Sequence, residues 1–316
     1  MRTRHFLPSA LLALSVLASA ENPQTKPPAS PASEPGSAVA AKPAAKKRDD
    51  PVARIAATLE PTRQIVYKKV GDRELHLHVF EPKGHKAGDQ RACFITIHGG
   101  GWTNGDARKM YPFAAHFAGV GLVGISIEYR LLKSGPGVTV FDCVKDGRSA
   151  VRYVRTHAAE LGVDPHKIIA NGGSACGHVA ASTALFDGID EAGEDTKVSC
   201  VPDALVLLYP VIDTSKEGYG NVKCGPQWQD LSPVHHVRAG LPPTIVFHGT
   251  GDTVTPFKGA KAFHEAMLKA GNRCELDINE DGKHGYLIFD LALYEDTLRK
   301  TDAFLESLGF LKREAK

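Results

Sequence analysis

The chain has 316 residues, and its 38 lysines and arginines nearly balance its 36 aspartates and glutamates, which leaves a formal net charge of +2. A charge so close to neutral gives no case for nucleic acid or for strongly acidic partners. The residues after position 50 suit one α/β domain with a sizeable core, and the sequence contains no internal repeat.

The first fifty residues predict an export signal followed by a tether. In residues 1–20, two arginines precede an apolar run from Phe6 to Leu17 that is too short to span a bilayer comfortably, and Ala18-Ser19-Ala20 is a cleavage site of A-x-A type. This pattern indicates a signal peptide and a secreted or periplasmic protein, with a retained membrane anchor as the alternative. Residues 21–50 predict a disordered Pro/Ala-rich linker, because they hold almost no large apolar residue to bury.

Residues 51–316 are the predicted folded domain, in which strand-like apolar runs alternate with helical patterns. The predicted strands cover residues 64–70, 74–80, 92–97, 122–127, 167–170, 204–209, 244–247 and 274–278. The predicted helices cover residues 107–117, 141–161, 257–270 and 287–308, and another helix follows residue 174. This alternation predicts an α/β fold with a mostly parallel eight-stranded sheet flanked by helices on both faces, so ligands are expected at the carboxyl ends of the strands.

The stretch Gly172-Gly173-Ser174-Ala175-Cys176 is the sharpest signal in the chain. An apolar, β-prone run leads into it and a run of helical character leaves it, which predicts a tight strand-to-helix turn with Ser174 at the apex. The pattern is that of a nucleophile elbow, G-x-S-x-G, except that Cys176 replaces the last glycine and Gly177 follows at once. An ordinary buried serine in a glycine-rich turn is the alternative. A phosphate-binding loop is disfavoured, because the spacing is not G-x-G-x-x-G and no Lys-Ser or Lys-Thr pair follows.

Three further groups follow predicted strands and are therefore expected at the same edge of the sheet. His98-Gly99-Gly100-Gly101-Trp102 can turn backbone N–H groups towards a reacting oxygen and form an oxyanion hole. Asp252 lies in a loop where a carboxylate can orient a histidine, with a turn or capping aspartate as the alternative. His284 lies in a glycine-containing loop that can reach over the sheet edge towards Ser174. The order Ser174, Asp252, His284 is the chain order of nucleophile, acid and histidine in α/β hydrolases.

From about residue 64 to residue 311 the chain resembles the α/β-hydrolase superfamily. Within it, the chain is similar to the hormone-sensitive-lipase-like esterases and to the bacterial carbohydrate esterases of the acetyl-xylan or feruloyl type. The segments that carry the resemblance are His98-Gly99-Gly100-Gly101-Trp102, Glu128-Tyr129-Arg130-Leu131, Gly172-Gly173-Ser174-Ala175 with Gly177-His178, His248-Gly249-Thr250 with Asp252, and His284-Gly285. The resemblance implies an α/β-hydrolase catalytic domain over residues 51–316.

The same resemblance implies the roles of the candidate catalytic residues. Ser174 would be the nucleophile, His284 the general base and then acid, and Asp252 the carboxylate that orients it. The oxyanion hole would be formed by the N–H groups of Gly100, Gly101 and Ala175. No cofactor is implied.

An insertion over residues 213–241, between two predicted strands, is expected to form one wall of the pocket. The candidate substrate contacts have either an aromatic face or an amide group: Trp102, Tyr219, Gln227 and Trp228. Trp228 could stack on a sugar ring or an aromatic acyl group, and a surface loop pinned by one buried aromatic is an equally good interpretation. Asp213 either lines the site or caps the following loop.

Other conspicuous residues are given structural interpretations. The segment Glu128-Tyr129-Arg130-Leu131 is expected to buttress the sheet edge, and Asp142 and Asp146 are expected to be ordinary residues of the 141–161 helix. Four histidines are assigned to packing or to the surface, because the sequence holds no H-E-x-x-H and no paired-cysteine motif for a metal: His98, His235, His236 and His248.

The six cysteines are read in the light of the export signal. Cys93 lies in a buried strand and is expected to be a free thiol. An oxidising compartment makes two disulfides plausible, Cys200 with Cys224 and Cys143 with Cys176. The second bond would account for a residue other than glycine beside the elbow.

These features together predict a secreted serine esterase that hydrolyses short-chain acyl esters, acetyl or feruloyl, with a carbohydrate as the expected alcohol. The alternatives are a general carboxylesterase or lipase, a serine peptidase of the same fold, and a non-catalytic, hydrolase-like binding protein. The expected partner is a small-molecule or carbohydrate ester. Short acyl groups are favoured over long ones, because the chain has no room for a large mobile lid and the candidate pocket residues mix aromatic faces with polar groups.

Overall fold

The computed structural model describes residues 49–312, so the predicted signal peptide and all but the end of the predicted linker lie outside the described residues. Eight strands form one sheet: β1 (Arg63–Val70), β2 (Arg73–Phe80), β3 (Arg91–Ile97), β4 (Val123–Ile127), β5 (Val163–Gly173), β6 (Ala204–Leu208), β7 (Thr244–Gly249) and β8 (Cys274–Asn279). Their order across the sheet is β1-β2-β4-β3-β5-β6-β7-β8. β2 pairs antiparallel with β1 and with β4, and every later pair is parallel. The predicted mostly parallel eight-stranded sheet is confirmed.

Helices cover both faces of this sheet. The α-helices of the described residues are α1 (Pro51–Thr58), α2 (Tyr111–Gly119), α3 (Val140–Thr156), α4 (Ala175–Leu185), α5 (Asn221–Cys224), α6 (Phe257–Lys269) and α7 (Leu291–Ser307). Short 3₁₀ helices cover Ala107–Met110, Gly225–Leu231, Pro233–His236 and Tyr286–Phe289. Side chains of α3, α4 and α6 pack on one face, and side chains of α1, α2 and α7 pack on the other. Within the described range, no helix combines the length and the apolar character that crossing a membrane requires.

The central strands are apolar throughout because both of their faces are buried. In β3, Ile95 points into the layer of α3 and α4, whereas its neighbour Phe94 points to the opposite layer. There Phe94 stacks on Phe117 of α2, with ring centroids 3.7 Å apart. A strand that alternates between two apolar layers needs an apolar residue at every position, which explains the continuous runs seen in the sequence.

The predicted helix boundaries differ from the structure at three places. The helix predicted over 107–117 is a 3₁₀ turn followed by α2, because Pro112 is tolerated only in the first turn of an α-helix. α3 ends at Thr156, short of the predicted end at residue 161. At this end, the Nδ1 atom of His157 donates a hydrogen bond to the carbonyl of Tyr153 at 2.9 Å. The region predicted over 287–308 is a 3₁₀ turn and then α7, whose first turn is capped by the Asp290 carboxylate.

Asp146 is not the ordinary helix residue that was predicted, because its carboxylate is fully buried beneath two cations. The backbone N–H, Nε and Nη2 of Arg130 each donate to it at 2.8 Å, and Lys68 Nζ lies 2.7 Å away. Arg130 therefore ties the end of β4 to α3, in keeping with the buttressing role expected for its segment. Asp142 forms a capping box with Thr139 at the start of α3.

Both predicted disulfides are wrong, because all six cysteines are free and buried. The thiol of Cys143 donates to the carbonyl of Arg130 at 3.1 Å, and the thiol of Cys200 faces the carbonyl of Thr183 at 3.4 Å. Each sulfur thus already has a backbone partner in a packed interior. The expectation that Cys93 is a free thiol is confirmed.

Candidate active site

Ser174 stands at the junction of β5 and α4 in a backbone conformation that side chains rarely adopt. Its φ is +58° and its ψ is −128°. The turn is held because Ser174 N donates to Leu208 O at 2.9 Å and Val211 N donates to Ser174 O at 3.0 Å. A Cβ on Gly172 would lie 2.1 Å from the carbonyl oxygen of Cys176, so glycine is required there. Strain at a polar residue held so firmly is typical of a functional site.

The structure brings the three predicted catalytic side chains into one hydrogen-bonded row, here called the triad. His284 Nε2 lies 2.9 Å from Ser174 Oγ, and His284 Nδ1 lies 2.8 Å from Asp252 Oδ2. An Nδ1–H that donates to the carboxylate leaves the Nε2 lone pair facing the serine hydroxyl, which is the tautomer that a general base needs.

Asp252 remains a carboxylate although it is almost fully buried. Burial alone would raise its pKa, but the hydrogen bond from His284 and those from the N–H groups of Thr255 and Val254 outweigh burial and lower it. The two N–H groups lie 2.9 and 2.8 Å from Oδ1, and the hydroxyl of Thr255 lies 2.9 Å from Oδ2. The site therefore keeps a negative charge where an imidazolium would form.

The loop from His98 to Trp102 lies directly beside the elbow. A Cβ on Gly99 would be 3.0 Å from the carbonyl of Gly173 and 3.6 Å from the Cβ of Ser174. Gly100 and Gly101 have φ values of +138° and +63°. The carbonyl of Gly100 accepts from the N–H groups of Thr103 and Asn104 at 3.1 and 3.0 Å, and this fixes the direction of the opposite N–H, that of Gly101.

The N–H groups predicted to form the oxyanion hole are not paired with backbone acceptors in the part of the chain that the structure describes. Within residues 49–312, no hydrogen bond to a protein acceptor is formed by the N–H groups of Gly100, Gly101 or Ala175. Ala175 is the first residue of α4, where backbone N–H groups point out of the helix and favour negative charge. Unpaired donors beside a nucleophile can stabilise an anionic oxygen.

Cys176, the residue that departs from the elbow pattern, joins the elbow to this loop. Its sulfur lies 2.9 Å from the hydroxyl of Tyr129 and donates to the carbonyl of His98, which also accepts from Tyr129 at 3.1 Å. Burial raises the pKa of the Cys176 thiol to about 12, so it keeps its proton and remains a donor.

The four candidate substrate contacts have different surroundings. Trp102 is fully buried and packs against His178 and Tyr219, with ring centroids 5.1 and 5.7 Å away, so in this structure its ring serves packing and offers no face to a substrate. Tyr219 is partly exposed and borders a small cleft of about 20 Å³ beside Thr255 and Pro256. Gln227 is exposed.

Trp228 is partly buried against the core, with the ring of His235 at 5.5 Å. This favours the interpretation of an aromatic residue that pins the insertion. Asp213 borders the same cleft as Tyr219, and its Oδ1 accepts from the N–H of Ser215 at 2.8 Å. It thus takes part in a local turn at the edge of this cleft.

The histidines assigned to packing or the surface are each engaged by protein groups. The ring of His98 lies 4.6 Å from that of Tyr129, and His248 Nε2 lies 2.8 Å from the carbonyl of Thr255. His235 contacts the hydroxyl of Ser232, and His236 contacts the carbonyl of Gln229. In the part of the chain that the structure describes, no cluster of His, Cys, Asp or Glu is arranged to hold a metal ion.

Sequence reasoning missed Thr255 and Tyr209. Thr255 is a buried neighbour of both Asp252 and His284, and the ring of Tyr209 meets that of His284 edge-on at 5.0 Å. A hydroxyl three residues after a predicted catalytic carboxylate is a signal that could have pointed to Thr255. Tyr209 has no comparable signal, because its position depends on a positive φ of 35° at the end of β6.

Comparison with known proteins gives concordant results. A family model described as BD-FAE matches residues 77–219. In the solved structure of the apo form of Thermogutta terrifontis esterase 2, the matched chain is 43% identical, the match covers 80% of this chain and 96% of that one, and the TM-score is 0.76. Other structures of that esterase are described as phosphorylated by paraoxon, propionate bound and butyrate bound.

Among curated relatives, the probable carboxylic ester hydrolase LipM of Mycobacterium tuberculosis is 32% identical over 230 residues, which are 66% of this chain and 52% of LipM. Carboxylesterase NlhH of the same organism is 28% identical over 65% of this chain and 69% of its own length. The chain spans about half the length of the first curated relatives that it matches.

Proposed function

This chain belongs to the hormone-sensitive-lipase-like esterases of the α/β-hydrolase superfamily, and on that premise we propose that it is an exported serine esterase that cleaves short-chain carboxylic esters through an acyl-enzyme on Ser174. The observation that carries the proposal is the unbroken row of hydrogen bonds from Ser174 through His284 to Asp252, at 2.9 and 2.8 Å. The match of residues 1–20 to a signal peptide supports export.

In the proposed acylation step, Ser174 Oγ attacks the carbonyl carbon of the ester and its proton passes to His284 Nε2. Asp252 stabilises the imidazolium that forms. The carbonyl oxygen becomes an oxyanion, which would accept hydrogen bonds from the N–H groups of Gly100, Gly101 and Ala175. The intermediate collapses as His284 returns the proton to the leaving alcohol.

Deacylation repeats these steps with water in place of the serine. His284 takes a proton from a water molecule, which attacks the acyl carbon, and then protonates Ser174 Oγ as the acid departs. The oxyanion forms at the same place in both halves of the reaction. One set of backbone donors therefore serves both tetrahedral intermediates.

The proposed substrate class is an ester of a carbohydrate, with either a short acyl chain such as acetyl or the aromatic feruloyl group as the acyl part. The propionate and butyrate bound to the related Thermogutta esterase agree with short acyl chains. In the insertion, the partly exposed ring of Tyr219 and the exposed amide of Gln227 suit a sugar better than a second hydrocarbon chain.

The proposal is tested by replacing the triad. Ser174→Ala, His284→Ala and Asp252→Asn should each lower kcat on nitrophenyl butyrate by several orders of magnitude while the protein stays folded. Wild type should react stoichiometrically with a serine-directed phosphonate, and Ser174→Ala should not. Ser307→Ala, in α7, is the matched control.

Near wild-type turnover by Ser174→Ala would overturn the proposed mechanism. Comparison of acetylated and feruloylated sugars with simple nitrophenyl esters then tests the alcohol. Preference for the simple esters would favour a general carboxylesterase. Cleavage of peptide substrates at comparable kcat/KM would favour a peptidase.

A further inference from the structure

We infer that Thr255 is a positioning residue of the triad, whose hydroxyl fixes the imidazole of His284 against Asp252. This inference rests on the proposed function, because it concerns the same reaction. Thr255 is 3% exposed, and its Oγ1 lies 2.9 Å from Asp252 Oδ2 and 3.1 Å from His284 Nδ1. The hydroxyl therefore closes a triangle with the two groups whose alignment decides the tautomer of the histidine.

The protons of this triangle can be assigned. The hydrogen on His284 Nδ1 donates to Asp252 Oδ2 at 2.8 Å, and the oxygen of Thr255 is a second acceptor for that hydrogen at 3.1 Å. The single proton of the Thr255 hydroxyl donates to Asp252 Oδ2 at 2.9 Å, since the alternative acceptor, the carbonyl of Tyr209, is farther away at 3.3 Å. The imidazole is thus held by two acceptors on its Nδ1 side.

Thr255 is itself held from several directions. Its N–H donates to Asp252 Oδ1 at 2.9 Å, and its carbonyl accepts from His248 Nε2 at 2.8 Å. The positive φ of Tyr209 places the Tyr209 carbonyl near the Thr255 hydroxyl and its ring against His284. A hydroxyl fixed in this way is preorganised and does not have to be ordered when substrate binds.

Thr255 contacts His284 on the side of the ring that faces away from Ser174, and this determines its expected effect on the reaction. Its hydroxyl contacts the Nδ1 side of His284, whereas Ser174 is bonded to Nε2 on the other side of the ring. Loss of the hydroxyl should therefore weaken proton transfer and leave substrate binding nearly unchanged. A hydrogen bond to a charged group contributes enough to change a rate about ten- to a hundredfold.

Thr255→Val and Thr255→Ser separate the hydroxyl from the methyl group, because valine keeps the shape and serine keeps the hydroxyl. On nitrophenyl butyrate we expect Thr255→Val to lower kcat by about ten- to a hundredfold with KM within about twofold, and Thr255→Ser to recover most of kcat. Thr301→Val, a buried threonine of α7 whose hydroxyl bonds the carbonyl of Thr297, is the control and should keep wild-type kcat.

A Thr255→Val protein with wild-type kcat would overturn the inference, as would a loss that serine does not recover or a rise of KM alone. If Thr255→Val does not fold, Thr255→Ala against Thr255→Ser gives the same comparison, since both lack the methyl group and differ in the hydroxyl. Failure of the proposed function would be recognised by a different result, namely an active Ser174→Ala protein. An inactive Ser174→Ala beside a fully active Thr255→Val would remove the role of Thr255 alone.

Discussion

Replacement of Cys176 tests whether a thiol holds the elbow to the loop from His98 to Trp102, which carries two of the predicted oxyanion donors and is here called the oxyanion loop. Cys176 is fully buried in the first turn of α4, and its sulfur contacts the Tyr129 hydroxyl and the His98 carbonyl. His98 immediately precedes the glycines that carry two of the predicted oxyanion donors. Cys176→Ala removes this link without adding bulk, whereas Cys176→Ser keeps a donor at the same place.

The expected magnitude follows from the contacts that are lost. Removing a weak hydrogen bond and one buried sulfur atom should lower the free energy of unfolding by about 1–2 kcal/mol. For a domain of this size each kcal/mol corresponds to about 2–4 °C in Tm. The bond from Tyr129 to His98, at 3.1 Å, remains in the variant, so the oxyanion loop is loosened but not released. We therefore expect kcat to fall by about three- to tenfold, a smaller effect than loss of an oxyanion donor itself.

The assay pairs a thermal melt with kcat and KM on nitrophenyl butyrate. Cys93→Ala is the matched control, because Cys93 is also fully buried but lies within β3. The control should lose stability and keep kcat, whereas Cys176→Ala should lose both. Equal kcat in the two alanine variants, or a serine variant as impaired as Cys176→Ala, would refute the reasoning that the thiol acts through its hydrogen bonds.

Two further predictions concern acyl length and acid stability. In a chain-length series of nitrophenyl esters, kcat/KM should be highest from acetyl to butyryl. Each added methylene of the acyl chain contributes about 0.8 kcal/mol only where an apolar wall receives it. An optimum at eight carbons or longer would favour a lipase. For Glu128, burial would raise the pKa, but hydrogen bonds from His78 and His76 outweigh burial and lower it from 4.5 to about 2. The stability that Glu128 contributes is therefore present above pH 4.5 and lost as the pH falls towards 2. Between these pH values, the urea midpoint of unfolding should fall less steeply in Glu128→Gln than in wild type. Parallel curves of midpoint against pH would contradict this prediction.

The sequence was sufficient to predict the sheet because its strands are buried on both faces. Continuous apolar runs such as that of β3 have few alternative interpretations, and each ends in glycines or polar residues that mark the sheet edge. The order of Ser174, Asp252 and His284 then placed three loops at the same edge. Their proximity in the structure follows from parallel strand order, which the alternation of strands and helices already contains.

Contacts between loops could not be predicted in the same way. The disulfide predicted for Cys176 is wrong because the sequence does not encode the direction of its side chain, which points to Tyr129. Trp102 is predicted to contact substrate, but in the structure its ring is buried against Tyr219. Its backbone has a positive φ of 58°, which the sequence does not indicate. Asp146 of α3 binds Arg130, which lies in the loop after β4, and no local sequence pattern encodes this contact.

The elbow shows why a motif can lose a glycine and keep its geometry. Glycine is needed where another segment of the chain occupies the space that a Cβ would fill. This is the case at Gly177, where a Cβ would lie 2.6 Å from the Cβ of Pro210. At position 176 the side chain instead enters the gap between α4 and the oxyanion loop. A cysteine can occupy that gap because a thiol is small and donates weakly to the waiting carbonyl of His98. Cys176, in place of the last glycine of G-x-S-x-G, thus adds a contact between the elbow and the loop that begins at His98. The close approach that requires glycine occurs one residue later, at Gly177.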